Sequence, residues 1–552
     1  MNAKLRRFEA LLIAVTGGVV FALSSPPTDL YPAVVIGLAM LAYAVADAPS
    51  FWRAFGRGAA WATAAGVVGL RFVPAVIQRF TPLGPAPSYL ALVLLSAAQS
   101  LAWALCAGLT ALFLRRARAP FEIAFAAGTL VAVMIPSVFA WTPAGLVSPW
   151  PSFLQLADLI GERGVSVLFA VAAALLARSV LALRGRSPGS SALLPDATPA
   201  PKLSKAALYP ALGAAALFAA LAVHGSLRMA SIARAAPGLP SVRVGLISQA
   251  VGPEERWDRA NHAWILRRLR DLTKSAEARG AELTIWPEAA YPYPLEHGAR
   301  RTPHDNRAVV GKGVRGPVLI GLITLARPAM VDGALEQNSY NSAAVVKPDG
   351  TLSPSYDKLE LLWFGEMVPG GAYLPWLRRI FQKSGGLIPG TEPRSLTLDR
   401  GASPAVRAGV LNCYEDTLAG VGRRIALSLR PNLLVNVTND AWFTGTAEPE
   451  LHARLAVMRA IELRLDLVRA VNRGVASWVD ATGEVRSRDE RSEPFVMMAE
   501  PRLRDAPLTF YARRGDAPLW VLLSWGLLFF ERRASRSRRA LSRSAGVVSP
   551  DP

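Results

Sequence analysis

This chain of 552 residues reads as a multi-pass helical membrane bundle carrying an α/β domain. Three observations lead there. Long Ala/Leu/Val-rich runs fill the sequence before about residue 225, and one more lies near its end. Between them, strand-like and helix-like segments alternate over about 270 residues, the signature of a layered α/β domain. Lys and Arg cluster against the ends of the apolar runs, so the net charge of +20 sits beside hydrophobic segments rather than on one folded face.

The apolar runs at roughly 8–24, 31–47, 55–78, 88–114, 121–141, 164–184, 206–224 and 517–531 are candidate spans, about eight by the thickness of a bilayer core. The first follows Lys4, Arg6 and Arg7, but no small-residue cleavage site follows it, so it reads as an anchor. Basic residues gather at Arg53 and Arg57, at Arg115, Arg116 and Arg118, from Arg178 to Lys205, and from Arg532 to Arg543. The alternate loops near Ser24–Tyr31, Arg79–Ser88 and Trp141–Arg163 carry almost none. That asymmetry is the positive-inside pattern. It places both termini in the cytoplasm and the domain between the seventh and eighth spans outside. The charge is therefore topogenic, and nucleic-acid binding is not expected. The expected division is a membrane domain over 1–224, an extracytoplasmic domain over 225–516, and a final span with a basic tail over 517–552.

Inside the middle domain, Val242–Ser248, Leu283–Trp286, Val318–Thr324, Ser342–Lys347, Val406–Asn412 and Leu433–Val437 read as strands, followed by 467–471 and 475–479. Helices are expected over 258–279 and Pro449–Leu465. Residues 225–240 form the link to the seventh span, and Arg186–Lys205 reads as a loop rich in Ser, Pro and Gly.

Only two cysteines are present, so no disulfide framework is available. Cys106 lies in an apolar run and reads as a packed side chain. Cys413 ends a buried strand at the mouth of a turn, where a fold presents a nucleophile. Attack through sulfur needs a base to remove the thiol proton and cationic or N–H donors for the oxyanion. Glu288 in Trp286-Pro-Glu288 suits the base, and Lys358 in Tyr356-Asp-Lys358, with the Tyr414 amide, suits the donors. The bland readings are a packed cysteine, a strand-terminal carboxylate and a surface lysine. His224, His262, His297, His304 and His452 lack ligand spacing, so no metal site is expected, and no Gly-rich phosphate loop is present.

The middle domain resembles the nitrilase superfamily, and with its apolar half the chain resembles the apolipoprotein N-acyltransferase family. The matching stretches are Trp286-Pro-Glu288, Tyr356-Asp-Lys358 with Phe364-Gly-Glu366, Asn412-Cys-Tyr-Glu415 and Asn436-Val-Thr-Asn-Asp-Ala-Trp-Phe443. His452, Met458-Arg-Ala-Ile-Glu462 and Arg469-Ala-Val-Asn472 follow in order. The resemblance implies a four-layer αββα sandwich with Glu288, Lys358 and Cys413 as a catalytic triad and no cofactor. It implies that Glu366 supports the lysine, and that Tyr414, Glu415 and Trp257 assist the substrates. Trp363 is expected beside the acyl-chain entrance. The implied reaction moves an acyl chain from a glycerophospholipid, through a cysteine thioester, to the N-terminal amine of a diacylglyceryl-cysteine apolipoprotein. The implied location is a bacterial inner membrane, with the catalytic domain facing the periplasm. A membrane-tethered amidohydrolase of small amides is the alternative, and a transporter with a binding domain is a third. The sequence departs from the family at Leu359-Glu-Leu-Leu-Trp363, where a histidine and a Val-Pro step are usual, and in the short loop Pro149–Leu156.

Overall fold

A computed structural model describes residues 3–139, 141–189, 204–331, 334–370, 373 and 386–545. Helices fill the first part. Pro85–Ala117, Ala157–Leu183 and Lys205–Gly238 are long and apolar enough to cross a membrane. Phe51–Gly69 and Val73–Phe80 form a pair bent by 60° where one span was expected at 55–78. Ala33–Val45 and Phe121–Met134 are apolar but only 13 and 14 residues long, about 20 Å at the helical rise. Ala3–Ala22 and Ala517–Ala545 carry basic residues within the helix itself. The linker expected at 225–240 is mostly helix, because the Lys205 helix runs unbroken to Ala235. The expected loop at Arg186–Lys205 lies largely outside the described residues.

The strands of the second part are β1 (Val244–Ser248), β2 (Leu283–Ile285), β3 (Leu295–Glu296), β4 (Val318–Leu325), β5 (Ala329–Val331), β6 (Ala334–Glu336), β7 (Ser339–Val346), β8 (Tyr356–Asp357), β9 (Leu396–Arg400), β10 (Ser403–Asn412), β11 (Leu433–Asn439), β12 (Leu467–Asn472), β13 (Ala476–Val479), β14 (Val485–Asp489) and β15 (Phe495–Ala499). One sheet runs β15-β1-β2-β4-β7-β8, with β3 also paired to β4. The other runs β14-β13-β12-β11-β10-β9, and β5 with β6 forms a small ribbon. β1, β2 and β4 pair in parallel, as do β10, β11 and β12, and the flanking strands are antiparallel.

Alternation along the strands builds the layers, since successive side chains leave opposite faces. Val244 and Leu246 of β1, Leu319 of β4, and Ala343 and Val345 of β7 pack toward the second sheet. There they meet Val410, Val435, Val437, Val468 and Ala470. Val318, Ile320 and Leu322 of β4, and Ala344 and Val346 of β7, turn the other way onto Ile265, Leu266 and Leu269 of the helix His262–Ala278. On the far face of the second sheet, Leu434, Leu467 and Val479 join the helix Glu448–Leu463. The result is an αββα sandwich, with its outer helix layer continuous with the membrane bundle.

That continuity is the main junction of the molecule. Leu451, Leu455 and Ile461 share one apolar cluster with Ala144, Leu146, Val165 and Phe169. Arg459, fully buried, lies 2.5 Å from Glu162 and 3.0 Å from Glu462, and Glu462 accepts the Glu162 amide at 2.7 Å. Arg464 binds Asp158 at 2.9 Å and the Gln155 side-chain and backbone oxygens at 2.7 Å each. At Gly161, φ is +69° and a Cβ would come within 2.3 Å of the Tyr511 ring, so only glycine fits this break in the Ala157–Leu183 helix.

Removing one partner from a buried ion network strands the others in a medium that solvates them poorly. Arg459→Met is expected to cost about 3–5 kcal/mol of stability in detergent. Chemical denaturation measures this, and the Arg459→Met/Glu462→Gln double variant should recover part of the loss.

Candidate active site

Three chain segments end at one point. Trp286-Pro-Glu288 leaves β2 and crosses β4 at Gly321, where a Cβ would sit 2.2 Å from the Pro287 carbonyl and 2.7 Å from the Glu288 Cα. Lys358 follows β8, whose Tyr356 pairs with Ala343 and Asp357 with Ser342 of β7. Cys413 follows β10 in a left-handed conformation, φ +55°, which is unfavourable for a residue with a Cβ and turns the chain sharply into a 3₁₀ segment ending at Thr417. Glu415 holds this turn. It accepts the Asn412 amide at 2.7 Å, the Tyr356 hydroxyl at 2.7 Å, the Leu359 amide at 2.7 Å and the Glu360 amide at 3.0 Å. It thereby ties the lysine's strand to the cysteine's turn. Burial pushes its carboxyl up to about 7 against the pull of those donors.

Lys358 is 1 % exposed, 2.7 Å from Glu366 Oε2 and 3.3 Å from Glu288 Oε1. Asn341 donates to both carboxylates, at 2.7 Å to Glu288 and 2.9 Å to Glu366, and accepts from Asn412 at 3.0 Å. The Asn439 amide donates to the second Glu288 oxygen at 2.9 Å. The Cys413 thiol lies close enough to Glu288 to feel its charge. Asn436 Nδ2 donates to the Cys413 carbonyl at 2.9 Å, which fixes the backbone of the turn.

These contacts set the protonation states. Burial works to strip Lys358 of its proton, but Glu366 and Glu288 outweigh it and hold the ammonium well above its usual value. Burial raises the Glu288 carboxyl, with Lys358 opposing. Burial and then the Glu288 charge push the Cys413 thiol well up. A protonated thiol therefore rests beside the Glu288 carboxyl, with the Lys358 ammonium alongside.

Of the other residues singled out from the sequence, Tyr414 lies with its ring 5.6 Å from the Lys358 ammonium and donates its hydroxyl to the Leu361 carbonyl at 3.2 Å. Trp363, 46 % exposed, lines a cavity of about 400 Å³ together with Leu359, Tyr414, Thr417 and Arg424. The helical part supplies the opposite wall, including Phe21, Trp61 and Trp103 on its helices and Trp141 in the segment before Pro143. A smaller cavity of about 40 Å³ reaches Cys413, and Phe139, Trp141, Tyr414 and Thr417 line both. Trp257 lies elsewhere. It is 57 % exposed, stacks on Arg256 at 4.9 Å and lines neither cavity.

Asn341 was missed from the sequence. The signal was present as a polar residue at the head of the apolar strand Ser342–Val346, where a buried amide must serve some partner. A buried polar cluster behind the thiol was missed as well. His452 sits between Asp416 at 3.0 Å and Asp440 at 3.1 Å, and Arg469 lies 3.1 Å from Asp416. Asp440, Glu448 and His452 bring one ligand atom each within 4.8 Å of one another. Both ring nitrogens of His452 are already engaged by aspartates, so the imidazolium is itself a cation of this cluster, beside Arg469.

Two family models match the chain: the apolipoprotein N-acyltransferase N-terminal domain over residues 17–175, and carbon-nitrogen hydrolase over residues 250–504. The chain is similar over most of its length to apolipoprotein N-acyltransferases. The apolipoprotein N-acyltransferase of Bradyrhizobium diazoefficiens is 29% identical over 96% of each chain. That of Geobacter metallireducens is 28% identical over 67% of this chain and 65% of its own length. That of Bdellovibrio bacteriovorus is 32% identical over 48% of each. Among solved structures, an amidase from Nesterenkonia sp. is 17% identical, covering 50% of this chain and 94% of its own with a TM-score of 0.32. The matched family models and relatives, with the apolar helices, support a bacterial membrane protein of the N-acyltransferase type.

Burial works to deprotonate His452, yet Asp416 and Asp440 hold it protonated up to about 10. Its folded value is raised above the ordinary 6.5, so the stability it contributes is complete below pH about 6.5 and is lost as pH rises through about 10. Thermal unfolding in detergent should fall across that window, and His452→Gln should flatten the slope.

Proposed function

We propose that this chain transfers an acyl chain from a glycerophospholipid, through a thioester on Cys413, to the N-terminal amine of a diacylglyceryl-cysteine lipoprotein. The observation that carries the reading is the thiol of the Glu288–Lys358–Cys413 cluster, reached from a cavity walled on one side by membrane helices. A lipid can keep its tails among those helices while its ester linkage reaches the sulfur.

In the first half, Glu288 takes the thiol proton as Sγ attacks the ester carbonyl. Lys358 and the Tyr414 amide stabilise the tetrahedral oxyanion, and Glu288 returns the proton to the departing lysophospholipid oxygen. In the second half, the acceptor amine attacks the thioester carbon and Glu288 moves a proton from nitrogen to the leaving sulfur. Glu366 and Asn341 keep Lys358 and Glu288 in place. Glu415 positions the turn that carries Cys413, and Tyr414 and Trp363 stand where the lipid enters. The aromatic walls limit water, which competes for the thioester. The amidohydrolase alternative uses the same three residues with water as acceptor, and a cavity facing the bundle favours the lipid reading over it. The reading places the catalytic domain on the periplasmic side of the inner membrane, in keeping with the basic residues beside the opposite helix ends.

Incubating the full chain with acyl-labelled phospholipid should trap a hydroxylamine-sensitive adduct, absent in Cys413→Ala. No adduct in the parent protein would reject acyl transfer. Glu288→Gln should slow adduct formation by about 100-fold or more, the scale of a lost general base. Unchanged formation would remove Glu288 from that role.

A further inference from the structure

One buried carboxylate beside the thiol has no part in this scheme. Glu448 opens the helix Glu448–Leu463, only 8 % of its surface is exposed, and its Oε2 is buried with no hydrogen-bond partner. It lines the same 40 Å³ cavity as Cys413, across from Phe139 and Trp141. An unpartnered carboxylate oxygen at such a site is costly unless something polar arrives to meet it.

The second half-reaction supplies such a group. The acceptor is an α-amine, which is mostly an ammonium at neutral pH and has no lone pair to attack with. Glu288 is already committed to moving the proton from nitrogen to sulfur after attack, so the ammonium's extra proton needs a second base. We propose that Glu448 receives the acceptor ammonium beside the Cys413 thioester and takes its extra proton, a role that rests on the acyl-transfer reading above.

The groups facing Glu448 tune it for this. Burial and then Asp440 push its carboxyl up to about 8, with His452 and Arg469 pulling down and Asp416 pushing up. That matches an α-amine at about 7.7–8.0, so a proton passes between the two at little cost. The balance closes. Entry of the cation displaces the carboxyl proton to solvent, and the ammonium then passes one proton to the Glu448 carboxylate. The freed lone pair forms the C–N bond, the C–S bond breaks, and Glu288 carries the remaining N–H proton to Sγ. The products are the amide, the Cys413 thiol and one proton released. An apolar side chain here would leave the ammonium without a counter-charge inside an aromatic cavity.

The test loads full-length wild type, Glu448→Gln and Glu448→Asp with labelled acyl chain from phospholipid vesicles, then chases with a diacylglyceryl peptide at pH 7. Thioester should form in all three. Discharge to the peptide should fall by about 100-fold in Glu448→Gln and recover as pH rises past the amine's own value, with Glu448→Asp between. Hydroxylamine, a neutral nucleophile at pH 7, should discharge wild type and Glu448→Gln alike. Wild-type discharge to the peptide by Glu448→Gln would overturn the proposal, as would equal losses with peptide and hydroxylamine, which mark a structural role only. Failure of the wild type to form any thioester would instead sink the acyl-transfer reading itself.

Discussion

A single buried ammonium organises this molecule's chemistry. Lys358 is enclosed between two carboxylates, and in a medium of low polarity neither the lysine nor the glutamates would stay charged alone. Together they do. Asn341 bridges the two glutamates from β7 and meets Asn412 at the end of β10, so Lys358, Glu288 and the strand leading to Cys413 are coupled by hydrogen bonds between the two sheets. The sandwich is therefore more than a support. Its inter-sheet interface is where Glu288, Lys358 and Cys413 are fixed relative to one another.

A second set of charges couples this site to the helical part. Arg459 and Arg464 leave the helix Glu448–Leu463 and bind Glu162, Asp158 and Gln155 across the junction. Arg454 on the same helix pairs with Asp29 at 2.5 Å. The first turn of that helix also carries Glu448 into the cavity at Cys413, and its next turn carries His452 behind it. One helix thus faces the reacting sulfur with its start and anchors the domain to the bundle along its length. Strain at the junction would be transmitted to the thiol, because packed interiors deform little.

Much of this was legible along the chain. The strands at Val244, Leu283, Val318, Leu433 and Leu467 and the helices at His262 and Glu448 follow from apolar alternation and period. β3, β5, β6, β8, β9, β14 and β15 went unread, since β3, β5, β6 and β8, of two or three residues each, carry no pattern and β14 is largely exposed, Val485-Arg-Ser-Arg-Asp489 carrying only one apolar side chain. Cys413 was recognisable at the end of a buried strand, while Glu288, Lys358 and Glu366 were recognisable mainly through the resemblance of Trp286-Pro-Glu288, Tyr356-Asp-Lys358 and Phe364-Gly-Glu366 to family motifs. Asn341, Glu448 and the Asp416–His452–Asp440 cluster were not, since each is unremarkable until the partner from another segment is seen. Trp257 stood out as a tryptophan after the first strand, yet a side chain's type says nothing about which surface it covers.

Composition and order along the chain determined the two-part architecture, the alternation of strand and helix, and the residue types able to perform acyl chemistry. These are local properties, set by hydrophobic period, turn residues and the reactivity of a thiol. Tertiary structure decided that Glu288, Lys358 and Cys413, spread over 125 residues of chain, meet at one point. It also decided that the cavity above them is shared with the helical bundle, and that Glu415 faces inward to hold a turn. Such features depend on which strands pair and which faces pack, and those long-range choices leave no local trace, because the energy that fixes them resides in contacts between distant segments.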